Sequence, residues 1–224
     1  MINRYMHRGN LNFVDKFLSL DFFLIFLVLL LGVISFFAMY STEQGKFGYY
    51  TISHIYRFFI FFTLFILIAF VKIDFWYKSA FIFYLLVLIL LFAVDFFGIS
   101  SSGSKRWINL FFINLQPSEL MKVFIIAFLA RYYNKIPSEQ VMNLKYLITP
   151  LFALIIPVLL VATQPDLGTA LLILASGVAV IWLTGFRIKF FLYSFLILIC
   201  LAPVGIAFLK PYQKSRILTF LNPE

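Results

Sequence analysis

Two stretches carry most of the chemistry in this sequence: Gly103-Ser104-Lys105-Arg106-Trp107-Ile108-Asn109-Leu110 and Gln116-Pro117-Ser118-Glu119-Leu120-Met121-Lys122. They place three cations, an indole and a carboxylate in a chain that is otherwise mostly apolar helix. Such groups are costly beside lipid, so their presence asks for a reason. A third motif, Gln164-Pro165-Asp166, repeats the order Gln, Pro, acid found at Gln116-Pro117-Ser118-Glu119. Proline suits the first helical position, where its missing N–H costs nothing. The acid complements the positive end of the helix dipole. Glu119 lies three residues after Gln116, a loose analogue of a capping box. Helix N-termini of this kind attract phosphate. Two of them beside Lys105, Arg106 and Lys122 would hold a polyanionic head group whose lipid tail stays in the bilayer. A plainer reading stands next to this one. It has two well-made helix starts, Glu119 and Lys122 paired at i,i+3, Trp107 as an interfacial anchor and Arg106 as a head-group contact. Lys210, Lys214 and Arg216 belong to the basic surface or form a solvated flank.

The rest of the chain sets where these residues sit. Of 224 residues, 63% are hydrophobic and 12% charged, and mean hydropathy is +1.02. A soluble domain is roughly half apolar and a quarter charged. The class is therefore an all-α polytopic membrane protein. The apolar runs are continuous, unlike the alternating pattern of an outer-membrane barrel. Cys200, the single cysteine, cannot form an internal disulfide and reads as a packing residue in an apolar run. The net charge of +9 points to anionic lipid rather than nucleic acid. No zinc spacing, Gly-rich phosphate loop or Ser/His/Asp set is visible. His7 and His54 have no partner at a ligand spacing and receive no role. Arg57 is placed to anchor the start of a span.

About seven spans are predicted, near 20–40, 55–71, 79–95, 117–133, 146–163, 167–185 and 190–209. Residues 1–19 form a basic leading segment in which Leu11, Val14, Phe17 and Leu18 have the spacing of a short interfacial helix. Residues 41–54 read as a polar loop and Lys72 to Lys78 as a turn. Residues 95–116 form a long connection whose part from Trp107 to Leu115 is apolar but too short to span. The segment from 117 is the weakest of the seven, with an unbroken apolar run only from Val123 to Ala130. Pro150 and Pro157 predict a kink in the next one. With the N-terminus inside, ten of the 18 Lys and Arg fall on the inner side and eight on the outer. The positive-inside bias is slight. Six of the outer eight sit in the 105–122 region and in the tail 210–224, as if to meet an anion.

Four motifs occur in order: Gly103-Ser-Lys-Arg-Trp-Ile, Gln116-Pro-Ser-Glu-Leu-Met-Lys, Gln164-Pro-Asp-Leu-Gly-Thr-Ala, and Tyr212-Gln-Lys-Ser-Arg-Ile leading to Leu221-Asn-Pro-Glu. In these the chain resembles the SEDS family (shape, elongation, division and sporulation), most closely its rod-shape branch, over essentially its whole length. The resemblance implies a fold of about ten membrane helices with both ends cytoplasmic, in the bacterial cytoplasmic membrane. It implies a peptidoglycan glycosyltransferase that polymerises lipid II on the outer face and releases undecaprenyl diphosphate, with a class B penicillin-binding protein as partner. Arg106 and Trp107 match the family's outer-loop cation and indole, Glu119 and Lys122 its polar pair, and Asp166 the acid of its later motif. The family's favoured catalytic Asp follows the Asn-Pro-Glu turn, in a long outer loop that begins at 210 and precedes about three more helices. It is thus expected beyond Glu224, and the 224 residues read as a C-terminally truncated chain or a naturally short product.

On this reading a sugar hydroxyl attacks an anomeric carbon and a diphosphate leaves. The hydroxyl needs a base, and the leaving charge needs cations or a divalent metal. No cofactor is assigned. The substrate surface is expected to comprise Lys105, Arg106, Trp107, Glu119, Lys122, Asp166, Lys210 and Arg216. Two other readings use the same residues. A transporter of the lipid-linked precursor would also need a pathway and alternating access, yet hydropathy shows no inverted repeat. A catalytically incomplete subunit would bind the penicillin-binding protein alone.

Overall fold

The structure is a computed structural model and describes residues 13–101, 104–109, 114–164, 166–186, 189–193, 196 and 200. The predicted span at 190–209 falls mostly outside these residues, and the tail after it wholly so. Among the described residues these elements follow one another: α1 (Phe13–Leu18), α2 (Phe22–Thr42), α3 (Tyr49–Ala69), α4 (Ile73–Phe97), β1 (Ile99–Ser101), β2 (Ser104–Asn109), β3 (Asn114–Leu115), α5 (Pro117–Asn134), α6 (Lys145–Thr163) and α7 (Leu167–Leu183). Among the described residues α2, α3, α4 and α6 are long and apolar enough to cross a membrane, and α7 is a shorter apolar helix. The chain forms two compact units, Met1–Phe75 and Trp76–Glu224.

In the first unit α2 packs on α3. Gly32 is the buried residue of α2, and a Cβ there would lie 2.2 Å from the Phe58 ring. The missing side chain is what lets the helices approach. Asp21 caps α2 by accepting from the Leu24 N–H at 3.0 Å. His54, which has no predicted role, lies 2.7 Å from the Ser35 hydroxyl. Ser35 in turn lies 3.0 Å from the Gly32 carbonyl.

The loop between α2 and α3 is shorter than the predicted 41–54. It closes through Gln44 (φ 57°) and Gly45 (φ 74°), and α3 begins at Tyr49, ahead of the predicted start near 55. The cause is Glu43. Its carboxylate accepts from the Tyr50 N–H at 3.0 Å, from the Thr51 N–H at 2.9 Å and from the Thr51 hydroxyl. It thereby satisfies N–H groups that an isolated helix start leaves open. Likewise Lys72 to Lys78 is mostly the first turn of α4, with Asp74 at its N-terminal end, where a carboxylate offsets the dipole.

The second unit has a core drawn from four helices at helical spacing. Tyr84, Val87 and Leu91 of α4 meet Met121, Ile125, Phe128 and Leu129 of α5, Leu154 and Val161 of α6, and Ala170 and Ile173 of α7. Gly177 of α7 admits Leu154 of α6, whose Cδ1 would be 2.4 Å from an added Cβ. The Tyr84 hydroxyl donates to the Ala153 carbonyl at 2.8 Å, tying α4 to α6. The long connection, whose part from Trp107 to Leu115 reads from sequence as apolar but too short to span, contains an antiparallel sheet of order β1-β2-β3. Cys200 is exposed rather than packed within the chain.

The hydrogen bonds to Glu43 hold its carboxyl below the usual 4.5, the Thr51 hydroxyl being the largest cause. A lowered folded-state value means the cap's stabilisation is complete above 4.5 and is lost as pH falls through the lower value. Amide exchange at Tyr50 and Thr51, corrected for intrinsic rate, is therefore expected to speed up on acidification through that range. Glu43→Gln should abolish the change. Exchange that ignores pH in the unaltered chain would contradict the cap.

Candidate functional site

The site is built at the end of the second unit where α4 ends and α5 and α7 begin. Asp166 is its centre. As N-cap of α7 it accepts from the Thr169 N–H through Oδ1 at 3.3 Å. Its Oδ2 accepts from Gln116 Nε2 at 3.2 Å and lies 3.5 Å from Arg106 Nη1. One carboxylate thus joins β2, the residue that opens α5, and α7. The Arg106 and Asp166 side chains are 24% and 13% exposed, so the pair is screened less than a surface ion pair.

Arg106 reaches Asp166 because of a register shift in the strands. Ile99 pairs with Trp107 and Ser100 with Lys105, so Arg106 is the residue the ladder skips. An extra residue of this kind bends the strand and redirects its side chain. On the other edge of β2, Ile108 pairs with Leu115 and Asn109 with Asn114. β3 then hands the chain to Gln116 and to Pro117, the first residue of α5.

Two expectations about the helix starts are corrected. Gln116 makes no side-chain cap on α5; its amide nitrogen donates to Asp166. Glu119 does not reach back either: both its oxygens accept from Lys122 Nζ, at 2.9 and 2.8 Å. The capping-box analogue is therefore not formed. In the second motif α7 starts at Leu167 with Asp166 as its cap; the proline of that motif lies outside the described residues.

Of the residues assigned from sequence, Arg106 and Asp166 come together and Glu119 and Lys122 pair with each other. Lys105 is exposed and Trp107 half-buried on β2. Lys210 and Arg216 lie outside the described residues. Two of the basic groups thus have carboxylate partners, and an arriving anion must share Arg106 and Lys122 with them. Gln164 was not foreseen as more than the start of a motif. It is 4% exposed and its Nε2 donates to the Leu91 carbonyl at 2.8 Å, pinning the end of α6 to α4. A buried amide without such a partner would be costly. Sequence spacing carries no signal for this contact, since the partner is a backbone atom 73 residues away. Among the described residues no group of three or more His, Cys, Asp or Glu could hold a metal ion.

The chain matches the profile of the FtsW/RodA/SpoVE family, described as cell cycle protein, over residues 18–224. It is 36% identical over 190 residues to the peptidoglycan glycosyltransferase MrdB of Helicobacter pylori, covering 84% of this chain and 47% of that protein. It is 36% identical over 142 residues to MrdB of Escherichia coli K12, covering 63% and 38%. A solved chain of a peptidoglycan synthase complex, described as coordinating polymerization and crosslinking, superposes with a TM-score of 0.79 at 26% identity, covering 92% of this chain and 60% of that one. The rod shape determining protein RodA of Thermus thermophilus shares the fold with a TM-score of 0.71 at 24% identity, covering 83% and 60%. The chain spans less than half the length of these two MrdB proteins.

Asn is as good a helix cap as Asp but carries no charge. Asp166→Asn is therefore expected to keep the bond to Thr169 and lose the attraction to Arg106. Asp166→Ala loses both, and should melt with about 1 kcal/mol less stability than Asp166→Asn. Equal melting of the two variants in detergent would contradict the cap.

Proposed function

The chain belongs to the FtsW/RodA/SpoVE family of cell cycle proteins, a multi-pass membrane family. From that premise we propose that the protein is a peptidoglycan glycosyltransferase that polymerises lipid II during rod-shape elongation. The observation that carries the reading is the convergence on Asp166. Residues from the Lys105-Arg106-Trp107, Gln116-Pro117 and Gln164-Pro165-Asp166 stretches meet at one end of a helical unit, beside apolar helices that would lie in lipid. A substrate with a charged head and a long hydrocarbon tail needs this combination.

In the reaction a sugar hydroxyl of one chain attacks the anomeric carbon of the next. The bond from that carbon to the diphosphate oxygen breaks, and undecaprenyl diphosphate leaves with the electron pair. Lys105, Arg106 and Lys122 meet the charge that develops on the diphosphate, since fixed charges in a site of low water content stabilise it strongly. Asp166 and Glu119 hold two of these cations in place, so they are positioning residues. Trp107 presents a flat apolar surface toward sugar or lipid. Lys210 and Arg216 extend the basic surface. None of these residues is assigned as the general base.

The arrangement in the membrane follows. Residues 1–19 lie on the cytoplasmic side, α2 to α7 and the seventh predicted span at 190–209 cross the cytoplasmic membrane, and residues 210–224 open an outer loop. The strand end of the second unit then faces outward, where lipid II is used. A class B penicillin-binding protein is the partner that cross-links the product. The likeness to a chain from a peptidoglycan synthase complex supports this.

The test is glycan synthesis by purified full-length protein from lipid II in detergent, a setting in which a transporter yields no polymer. Lys122→Ala is expected to lower output about 100-fold, the scale for removing one donor to a developing charge. Trp107→Ala and Asp166→Ala should also lose output while inserting normally. Normal polymer from all three would remove this site.

A further inference from the structure

The opposite end of the second unit holds a second basic feature. Near the start of α4 and the end of α5 lies a cleft of about 430 Å³. Its polar rim is Lys78, Arg131 and Lys135, and its apolar wall includes Phe81, Ile82 and Phe128. Each helix contributes at helical spacing: Lys78, Phe81 and Ile82 from α4, and Phe128 and Arg131 from α5.

The rim is built, not a chance meeting of flexible chains. Arg131 Nη1 donates to the Lys78 carbonyl, and the guanidinium carbon lies 5.7 Å from the centroid of the Tyr77 ring. Tyr77 is itself held, its hydroxyl accepting from Asn134 Nδ2 at 3.1 Å. Arg131 is thus fixed with N–H groups to spare, and Lys78 and Lys135 flank it. Among the described residues no acid lines the cleft. Among the described residues none of the three cations forms an ion pair; the two ion pairs are those of Arg106 and Lys122. Asp74 and Glu139, the acids nearest in sequence, pair with neither lysine.

We propose that this cleft binds the head group of an anionic phospholipid. The phosphodiester sits among Lys78, Arg131 and Lys135, and an acyl chain runs along Phe81 and Ile82. Charge complementarity selects the anion, because three like charges gathered without a counter-charge repel one another until one arrives. Basic pockets between membrane helices suit such head groups. The wall selects the lipid over a free anion: Phe81 is 48% and Ile82 62% exposed, and inorganic phosphate would leave both uncovered. The bond from Arg131 to α4 lies in this rim, so a bound lipid would brace the two helices that also frame the strand site.

The experiment is native mass spectrometry of the purified chain in detergent with phosphatidylglycerol, phosphatidylcholine or inorganic phosphate. Phosphatidylglycerol is expected to be retained in preference to phosphatidylcholine. Lys78→Gln/Lys135→Gln should weaken retention roughly tenfold or more, given the pull of each basic side chain on an anionic head group. Lys46→Gln, which removes a cation from the first unit, should leave it unchanged. If the double variant loses helicity, Lys135→Gln alone, at the exposed end of α5, is read instead and should weaken retention several-fold. Equal retention of both lipids, or full retention by the charge variants, overturns the proposal. Displacement of phosphatidylglycerol by an equal concentration of inorganic phosphate also overturns it, in favour of a simple anion site.

Discussion

The carboxylate of Asp166 is the constraint on which the candidate site depends. A carboxylate has room for several donors, and this one divides them by oxygen: the α7 backbone on one side, Arg106 and Gln116 on the other. Its contacts fall on three elements that are far apart in sequence. Remove it and β2 has lost a tie to α7, the start of α5 has lost its amide partner, and α7 has lost its cap. Gln164, two residues earlier, holds the end of α6 to the carbonyl of Leu91. The turn between α6 and α7 is therefore anchored on both sides, and the strands can be placed against it.

Packing explains why so small a polar group can be decisive. In the second unit the helices are held by apolar contacts among residues such as Leu91, Ile125, Leu154 and Ile173. Those contacts are non-directional and would tolerate small rotations. Hydrogen bonds of fixed direction, from Tyr84 to Ala153 and from Gln164 to Leu91, select one arrangement. The two ends of the unit then differ in kind. At the strand end, Arg106 and Lys122 have carboxylate partners. At the other end Arg131 is held by a carbonyl and an aromatic ring instead, and among the described residues it has no carboxylate partner.

What could be read from the sequence follows the range of each interaction. The helical class was legible because it follows from long apolar runs, and the pairing of Glu119 with Lys122 because it is set by i,i+3 geometry. The participants at the site were legible as residue types, since an Arg beside an indole and an acid after Gln-Pro are unusual near lipid. Their partners were not. Gln116 looked like a cap residue, yet its amide turns to a carboxylate 50 residues on. The register shift that singles out Arg106 leaves no trace in the residue types around it. Glu43 was placed in a loop, because nothing local shows that its side chain reaches forward to Tyr50 and Thr51.

The most direct measurement is a double-mutant cycle on Arg106 and Asp166. The stabilities of Arg106→Met, Asp166→Asn and the pair are compared with the unaltered chain in one detergent. If the carboxylate holds β2 to α7 through this cation, the two losses should not add, and the coupling should be about 1 kcal/mol. Additivity within about 0.3 kcal/mol would mean that the two groups lie side by side without holding anything, and the account of the site would fail.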